Sequence, residues 1–418
     1  FMEIKRDIYL NRLIRRECNG LIKIVTGVRR CGKSYLLFNL FHNYLSEKGV
    51  PENHIIEVAL DDRSNKALRD PDNMLQFIKN QIVDKNTYYI ILDEVQLLGE
   101  FEDVLNSLLH IRNADVYVTG SNSKFLSSDV ITEFRGRGDE VRLHPLSFRE
   151  YCSVYPGNTD EAWDDYFTYG GLPLILSRET AEEKADYLMT LFQKVYLSDI
   201  IDRHKIRNQE ELDELVDILA SAVGSLTSPQ KLAKTFKSVK QKNISDKTLK
   251  RYIDYLTDAF LVSKAVRFDI KGKRYIGSPA KFYFEDVGLR NARLNFRQIE
   301  ENHIMENIIY NELRIRGFHV DVGVIEKFGK NEDDKTTKKQ LEIDFIATKG
   351  SEKYYIQSAF SMPTPEKREQ EVRSLNSISD SFKKIIVVRD NIKLRRDERG
   401  INTIGLRGFL MDENSILL

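Results

Sequence analysis

Eight residues of this chain, Gly27-Val28-Arg29-Arg30-Cys31-Gly32-Lys33-Ser34, fit the spacing G-x-x-x-x-G-K-[ST] without a mismatch. Glycines let a backbone curl until successive N–H groups face one centre, and a helix that follows adds the positive end of its dipole. Such a loop binds phosphate. Lys33 is expected to reach the β- and γ-phosphates of ATP and the Ser34 hydroxyl to ligate Mg²⁺, so that Gly27 to Tyr35 is the expected nucleotide-binding segment. Further along, the apolar run Ile90-Ile91-Leu92 ends in Asp93 and Glu94. Two acids at the end of a buried strand are costly unless they face a cation or water. Asp93 is expected to be the outer Mg²⁺ partner, and Glu94 the base that orients the attacking water. In Val118-Thr119-Gly120-Ser121-Asn122, either Asn122 or Ser121 is placed to hydrogen-bond the γ-phosphate or that water. In Phe134-Arg135-Gly136-Arg137-Gly138, Arg137 or Arg135 is a candidate arginine finger, in cis or across a subunit interface; a solvated or structural arginine is the alternative.

The elements that must position these groups follow from periodicity. Leu21–Thr26, His54–Leu60, Tyr88–Leu92 and Asp115–Thr119 are short runs apolar on both faces, as buried parallel strands are, and helical stretches separate them. Residues 1–150 therefore predict a doubly wound α/β P-loop domain. From 151 to 290 the pattern turns helical. Ser228–Lys234 and Ser245–Leu256 read as two helices, and Leu261–Phe268 as a strand of a β-ribbon, which together suggest a winged helix. From 291 to 418 a helix at 303–316 precedes strands near 318–325, 341–347 and 354–360, then a helix near 365–377 and the strand Lys384–Val388. Lys327 to Gln340, rich in Lys, Asp, Asn and Thr, reads as a mobile hairpin loop.

The phosphate loop, Leu92-Asp93-Glu94, Thr119-Gly120-Ser121-Asn122, Gly136-Arg137, His144-Pro145-Leu146-Ser147-Phe148-Arg149-Glu150-Tyr151 and Gly170-Gly171-Leu172-Pro173 occur in one chain. In that combination the sequence resembles a group of prokaryotic AAA+-like ATPases with a winged-helix middle and a C-terminal restriction-endonuclease-like domain of unknown function (DUF4143 type). The resemblance spans nearly the whole chain. It implies ATP as the nucleotide and a cytoplasmic setting, and supplies no substrate. Within the C-terminal part, Glu342-Ile343-Asp344-Phe345 and Ile356-Gln357-Ser358-Ala359 look like the core of the PD-(D/E)XK nuclease fold. Asp344 matches the acid of the first strand. Gln357 and Ala359 stand where that fold carries Glu and Lys, and neither replaces the lost chemistry. Glu306 or Glu312 is available as one more acid. A degenerate domain used for binding or assembly is the expectation, with Asp344 kept as a structural acid.

Length and charge bound the remaining classes. A chain of 418 residues is too long for one compact domain. With 64 basic and 64 acidic residues its formal net charge is +0, which excludes a globally basic DNA coat and leaves room for a local basic face. That face is expected at Lys234, Lys237, Lys240, Lys242, Lys247, Lys250, Arg251, Lys264, Arg267, Lys271, Lys273 and Arg274, with a lysine-rich packing surface as the alternative. Cys18, Cys31 and Cys152 have neither metal-ligand nor disulfide spacing, as expected of a reducing cytoplasm. No run approaches the roughly 20 apolar residues that span a bilayer. The expectation is a cytoplasmic ATPase coupling nucleotide state to conformational change. A nucleotide-gated DNA-binding module and an ATP-coupled nuclease are the alternatives, and a homo-oligomer is in view.

Overall fold

A computed structural model describes residues 3–120, 136–297, 299–330 and 336–417. Two compact units emerge: Phe1–Leu146 with Leu172–Leu174 and Asp258–Phe260, and the remainder, Ser147–Gly171, Ile175–Thr257 and Leu261–Leu418.

The first unit is built on a parallel five-stranded sheet of β1 (Ile22–Thr26), β2 (Ile55–Ala59), β3 (Tyr88–Asp93), β4 (Ala114–Thr119) and β5 (Gly138–Arg142), in the order β2-β3-β4-β1-β5. The four apolar runs are β1 to β4, of which β1, β3 and β4 are central and β2 forms one edge. Alternate residues Ile22, Ile24, Ile90, Leu92, Val116 and Val118 share a core with Met74 and Ile78 of one helix (Pro71–Gln81) and Val104, Leu105 and Leu108 of another (Phe101–Leu109). Each such side chain contributes about 1.5–3 kcal/mol by leaving water. The strand β5, with sequence Gly-Asp-Glu-Val-Arg, has only Val141 buried. It lies at the sheet edge, where one strand neighbour suffices and no apolar run is needed, so periodicity did not reveal it. Because β1 sits between β4 and β5 while the chain after β1 crosses to the far edge, the carboxyl ends of β1, β3 and β4 open on one crevice. This is where open α/β sheets bind ligands.

The second unit begins with helices, including Gln209–Ser221, Pro229–Val239 and Asp246–Asp258, and continues as a mixed eight-stranded sheet. Its strands are β6 (Val262–Asp269), β7 (Arg274–Phe284), β8 (His319–Lys330), β9 (Thr336–Lys349), β10 (Glu352–Ala359), β11 (Lys383–Val388), β12 (Arg395–Arg396) and β13 (Ile401–Gly405), in the order β12-β13-β11-β10-β9-β8-β6-β7. The β6–β7 ribbon is not free-standing: β6 pairs in parallel with β8 at Arg267↔Val322 to Asp269↔Val324, so the sheet runs on both sides of residue 290. Most of the expected loop at 327–340 is strand, since β8 and β9 stay paired out to Lys330↔Thr336. An antiparallel ladder is held by backbone bonds and tolerates polar composition that reads as loop. The chain is thus α/β, a P-loop domain with a parallel sheet followed by a helical region and a mixed-sheet domain. Among the described residues no helix is long and apolar enough to cross a membrane.

Candidate functional site

The phosphate loop leaves β1 at Gly27 and enters a helix running through Lys33–Tyr35, Leu36–Phe41 (π-helical) and His42–Glu47. Its turn depends on left-handed backbone at Arg30 (φ +67°) and Gly32 (φ +101°). Gly27 is required for a second reason: at φ +146°, a Cβ there would lie 2.2 Å from the Leu143 carbonyl oxygen. Val28 and Cys31 are fully buried and anchor the loop. The Lys33 Nζ folds over the loop and donates to the carbonyls of Gly27 (3.1 Å) and Val28 (3.2 Å). Arg29 and Arg30 lie on the same turn, partly and fully exposed, while Ser34 is exposed at the helix start. Half-buried Tyr35 hydrogen-bonds the backbone of Ile4, and burial raises its hydroxyl pKa.

At the end of β3, Asp93 is 4% exposed. Burial raises its carboxyl pKa above the ordinary range; Glu94 and Asp61 push the same way, against hydrogen bonds from Thr119 and Ser34. Ser34 of the loop and Asp93 are therefore in contact. Glu94 adopts a left-handed conformation (φ 52°), which swings its side chain out of the strand direction. Thr119, at the end of β4, joins the two acids. Its Oγ accepts from the Glu94 N–H at 2.9 Å and donates to Asp93 Oδ1. The Gln96 amide in turn donates to Glu94 Oε2. Sequence reasoning passed over Thr119 in favour of its neighbours; a buried threonine closing an apolar strand beside an acid-tipped one was the available signal. Ser121, Asn122 and Arg135 lie outside the described residues.

Arg137 is not brought to this crevice within the chain. Its carbonyl accepts from Ile22 N–H (2.8 Å), at the amino end of β1, and its Nη1 donates to Asn106 (3.2 Å). The β1–β5 register from Ile22↔Gly138 to Thr26↔Arg142 puts Arg142, not Arg137, at the loop end. Four residue steps separate the two ends, about 13 Å of extended chain.

The donor set facing the crevice consists of a hydroxyl and a carboxylate, the hard oxygen ligands that Mg²⁺ prefers. A buried carboxylate whose pKa is raised by burial and by like charges is one that a cation would relieve. Ser34 and Asp93 therefore fit such an ion.

In the second unit, Asp344 of β9 lies in a buried cluster that the sequence did not disclose. The Lys281 Nζ, on β7, is 2.8 Å from Glu342, 2.9 Å from Glu306 and 3.2 Å from Asp344. Burial pulls the Lys281 pKa down, but the three carboxylates outweigh it and hold the ammonium charged. Glu306 is nevertheless raised, by burial first and then by Asp344, because one ammonium serves three acids. The Asp344 carboxylate also accepts from Ser358 N–H at 2.9 Å, and Gln357 faces the Asp344 N–H at 3.4 Å. Glu312 lies elsewhere, paired with Arg316 at 2.7 Å. Among the described residues no group of three or more His, Cys, Asp or Glu side chains has the makings of a metal site. A lysine inside the apolar run Ala280-Lys281-Phe282-Tyr283-Phe284 was the sequence signal for this cluster.

Of the expected basic face, Lys234, Lys237, Lys247, Lys250, Arg251, Lys264, Lys271 and Lys273 are exposed. Lys240 and Lys242 are paired with Glu210 and Glu214, and Arg274 with Asp269. Arg267 is buried and donates to the carbonyls of Ser278 and Pro279.

Residues 19–152 match the AAA domain family, so fold and sequence together define the first unit as a AAA-family P-loop domain. Residues 160–300 match a domain of unknown function, DUF8612, which differs from the DUF4143 type that the resemblance implied. The chain is 32% identical to an uncharacterized protein of Haemophilus influenzae over 391 residues, 92% of this chain and 93% of that one, and belongs to the same family. The uncharacterized protein MJ1544 of Methanocaldococcus jannaschii is 26% identical over 94% of this chain and 84% of its own. Among solved structures, the Aeropyrum pernix ORC1 protein in complex with DNA is similar at 13% identity and a TM-score of 0.30, covering 70% of this chain and 93% of its own. A DNA polymerase III gamma subunit-related protein of Thermotoga maritima is similar at 16% identity and a TM-score of 0.27, covering 60% and 77%.

Proposed function

We propose that the chain binds ATP with Mg²⁺ at Gly27–Tyr35 and hydrolyses it, using the nucleotide state to change the conformation of the attached second unit. The observation that carries this reading is the Thr119 hydroxyl, which ties Asp93 to Glu94 while Ser34 of the phosphate loop bonds Asp93. Three strand ends thereby present phosphate donors, a cation-ligating pair and a carboxylate in one crevice. The loop N–H groups and Lys33 bind and orient the β- and γ-phosphates, and Ser34 and Asp93 hold the ion. Bound there, Mg²⁺ neutralises charge that develops on the transferring phosphoryl group. Glu94 orients the attacking water and accepts its proton. Asn122 is proposed as a γ-phosphate contact. Arg137 acts on the nucleotide only across an interface with a second copy of the chain, given its place at the far end of β1.

Glu94→Gln tests the assignment. The amide keeps the size of the side chain but cannot accept a proton, so ATP affinity stays within about twofold while turnover falls by about 100-fold or more. Wild-type turnover in this variant, measured as phosphate release, would remove Glu94 from the mechanism.

A second reading, DNA contact, is favoured by the chain order in the second unit. The helix Gln209–Ser221, the bridge Thr227↔Ala280, the helices Pro229–Val239 and Asp246–Asp258 and the β6–β7 ribbon follow one another as in a winged helix. Exposed Lys234, Lys237, Lys247, Lys250 and Arg251 lie on its last two helices. Binding to a short duplex is expected to weaken steeply with salt and to respond to ATP, with Lys250→Ala and Arg251→Ala together lowering the salt slope by about two. A slope unchanged by that pair, or no binding at low salt, would leave these helices a packing surface.

A further inference from the structure

Arg6 precedes the first helix of the chain, Asp7–Ile14, and its side chain is 2% exposed. Burying a guanidinium there is unfavourable unless its N–H groups find acceptors, so its position is closely specified. Nη1 donates to the Cys31 carbonyl at 3.1 Å, and Nη2 to the carbonyls of His144 at 2.7 Å and Pro145 at 3.5 Å. Nη1 is also 3.9 Å from where a Cβ on Gly32 would stand. One side chain thus grips the last turn of the phosphate loop and the segment that follows β5. That segment backs the loop along its length: the Leu143 carbonyl presses on Gly27 and accepts from Cys31 Sγ at 3.6 Å.

A loop whose N–H groups converge on phosphate leaves its carbonyls in need of other partners, and Lys33 serves only those of Gly27 and Val28. The loop also carries Arg30 in left-handed backbone, which is strained for a residue with a Cβ. Its binding shape is therefore held by ties from outside rather than by its own preferences. The Gly32 carbonyl is used by the helix, accepting from Leu36 N–H at 2.9 Å. The Cys31 carbonyl is the one given to Arg6.

We propose that Arg6 is a positioning residue of the nucleotide site, holding the phosphate loop in its phosphate-binding shape by clamping it to residues 143–145. The proposal rests on the nucleotide reading above. Arg6 acts through the loop and does not touch ATP, so its loss makes binding bear the cost of ordering the loop. Once ATP is in place the phosphates hold the loop instead. Affinity therefore falls and the chemical step does not.

The test uses the full chain, with ATP·Mg²⁺ binding and steady-state turnover measured side by side. Arg6→Met keeps the stem and removes the donors; Kd and KM for ATP are expected to rise about tenfold or more, with kcat within about twofold. Arg6→Lys, whose single ammonium cannot grip both sites as the fork does, should fall between the two, and it serves if Arg6→Met does not fold. Tyr9→Phe is the structural control. It removes the hydroxyl that accepts from His144 N–H at 3.3 Å but keeps the ring on which the Arg6 guanidinium lies at 4.7 Å, so the bond lost joins the same helix to the same segment while the Arg6 bond to the Cys31 carbonyl stays. It is expected to lower Tm and leave Kd unchanged. Wild-type Kd in both Arg6 variants, or an equal loss of affinity in Tyr9→Phe, would overturn the proposal. If wild type binds no ATP, or binds it equally well after Lys33→Ala, the nucleotide reading itself fails. Binding lost in Lys33→Ala but intact in the Arg6 variants sinks the positioning role alone.

Discussion

Lys33→Ala is expected to remove ATP binding, weakening it by at least about 100-fold, and with it all turnover. The ammonium is already inside the turn, sharing itself between the Gly27 and Val28 carbonyls, and the residue is only 5% exposed. It needs no large movement to exchange those neutral acceptors for phosphate oxygens. Charge-assisted bonds of this kind contribute about 1.5–3 kcal/mol each, and two of them account for the expected loss. The loop without its lysine keeps Gly27 against Leu143 and the buried Val28 and Cys31 anchors, so Tm in the absence of nucleotide should move little. What disappears is the rise in Tm that saturating ATP gives the wild-type chain, since a ligand stabilises only the state it binds. Calorimetric titration and a thermal melt with and without ATP·Mg²⁺ measure both. An undiminished ATP-induced shift in the variant would mean that the nucleotide sits elsewhere.

The second large effect is expected at Lys281→Met, which is close in volume and carries no charge. It leaves Glu306, Glu342 and Asp344 without the ammonium they share, and Glu306 and Asp344 have side chains only 14% and 11% exposed. Removing one partner of a buried ion cluster costs about 3–5 kcal/mol because the remaining charges stay desolvated. For a unit of this size that lowers Tm by roughly 6–20 °C. The pH dependence separates charge from packing. Glu306 is already raised by burial and by Asp344, and without the lowering effect of Lys281 it titrates higher still in the folded state than in the unfolded one. Its protonation then favours folding, and the stability of the variant rises as pH falls. The deficit of the variant relative to wild type should therefore shrink from pH 8 towards pH 5. A deficit constant across that range would assign the loss to packing and not to uncompensated carboxylates.

The parts of the molecule that were legible in the sequence are those encoded by neighbouring residues. Runs apolar on both faces marked four parallel strands because a strand buried on both sides must be apolar throughout. The phosphate loop was legible because its glycines, lysine and serine stand within eight consecutive residues, with Lys33 turning back onto the Gly27 and Val28 carbonyls. The alternation of elements was enough for the fold class. The edge strand β5 escaped because an edge needs no apolar run. The ribbon read as a wing proved to be part of a larger sheet because strand pairing between β6 and β8 spans more than fifty residues and leaves no local mark.

What only the tertiary structure decided is which distant side chains meet. Thr119 became the link between Asp93 and Glu94 because β3 and β4 pair in a register that sets Leu92 against Val118, bringing their next residues side by side. Arg137 lost its place in the crevice because β5 runs parallel to β1 and delivers it to the wrong end. Arg6 in the first unit and Lys281 in the second each found their partners through contacts across 25 to 139 and 25 to 63 positions of chain. A turn or a strand period is written in consecutive residues, and its energetics are local. The partner of a buried charge is set by register and by which strand ends face the same crevice, and those are properties of the folded sheet.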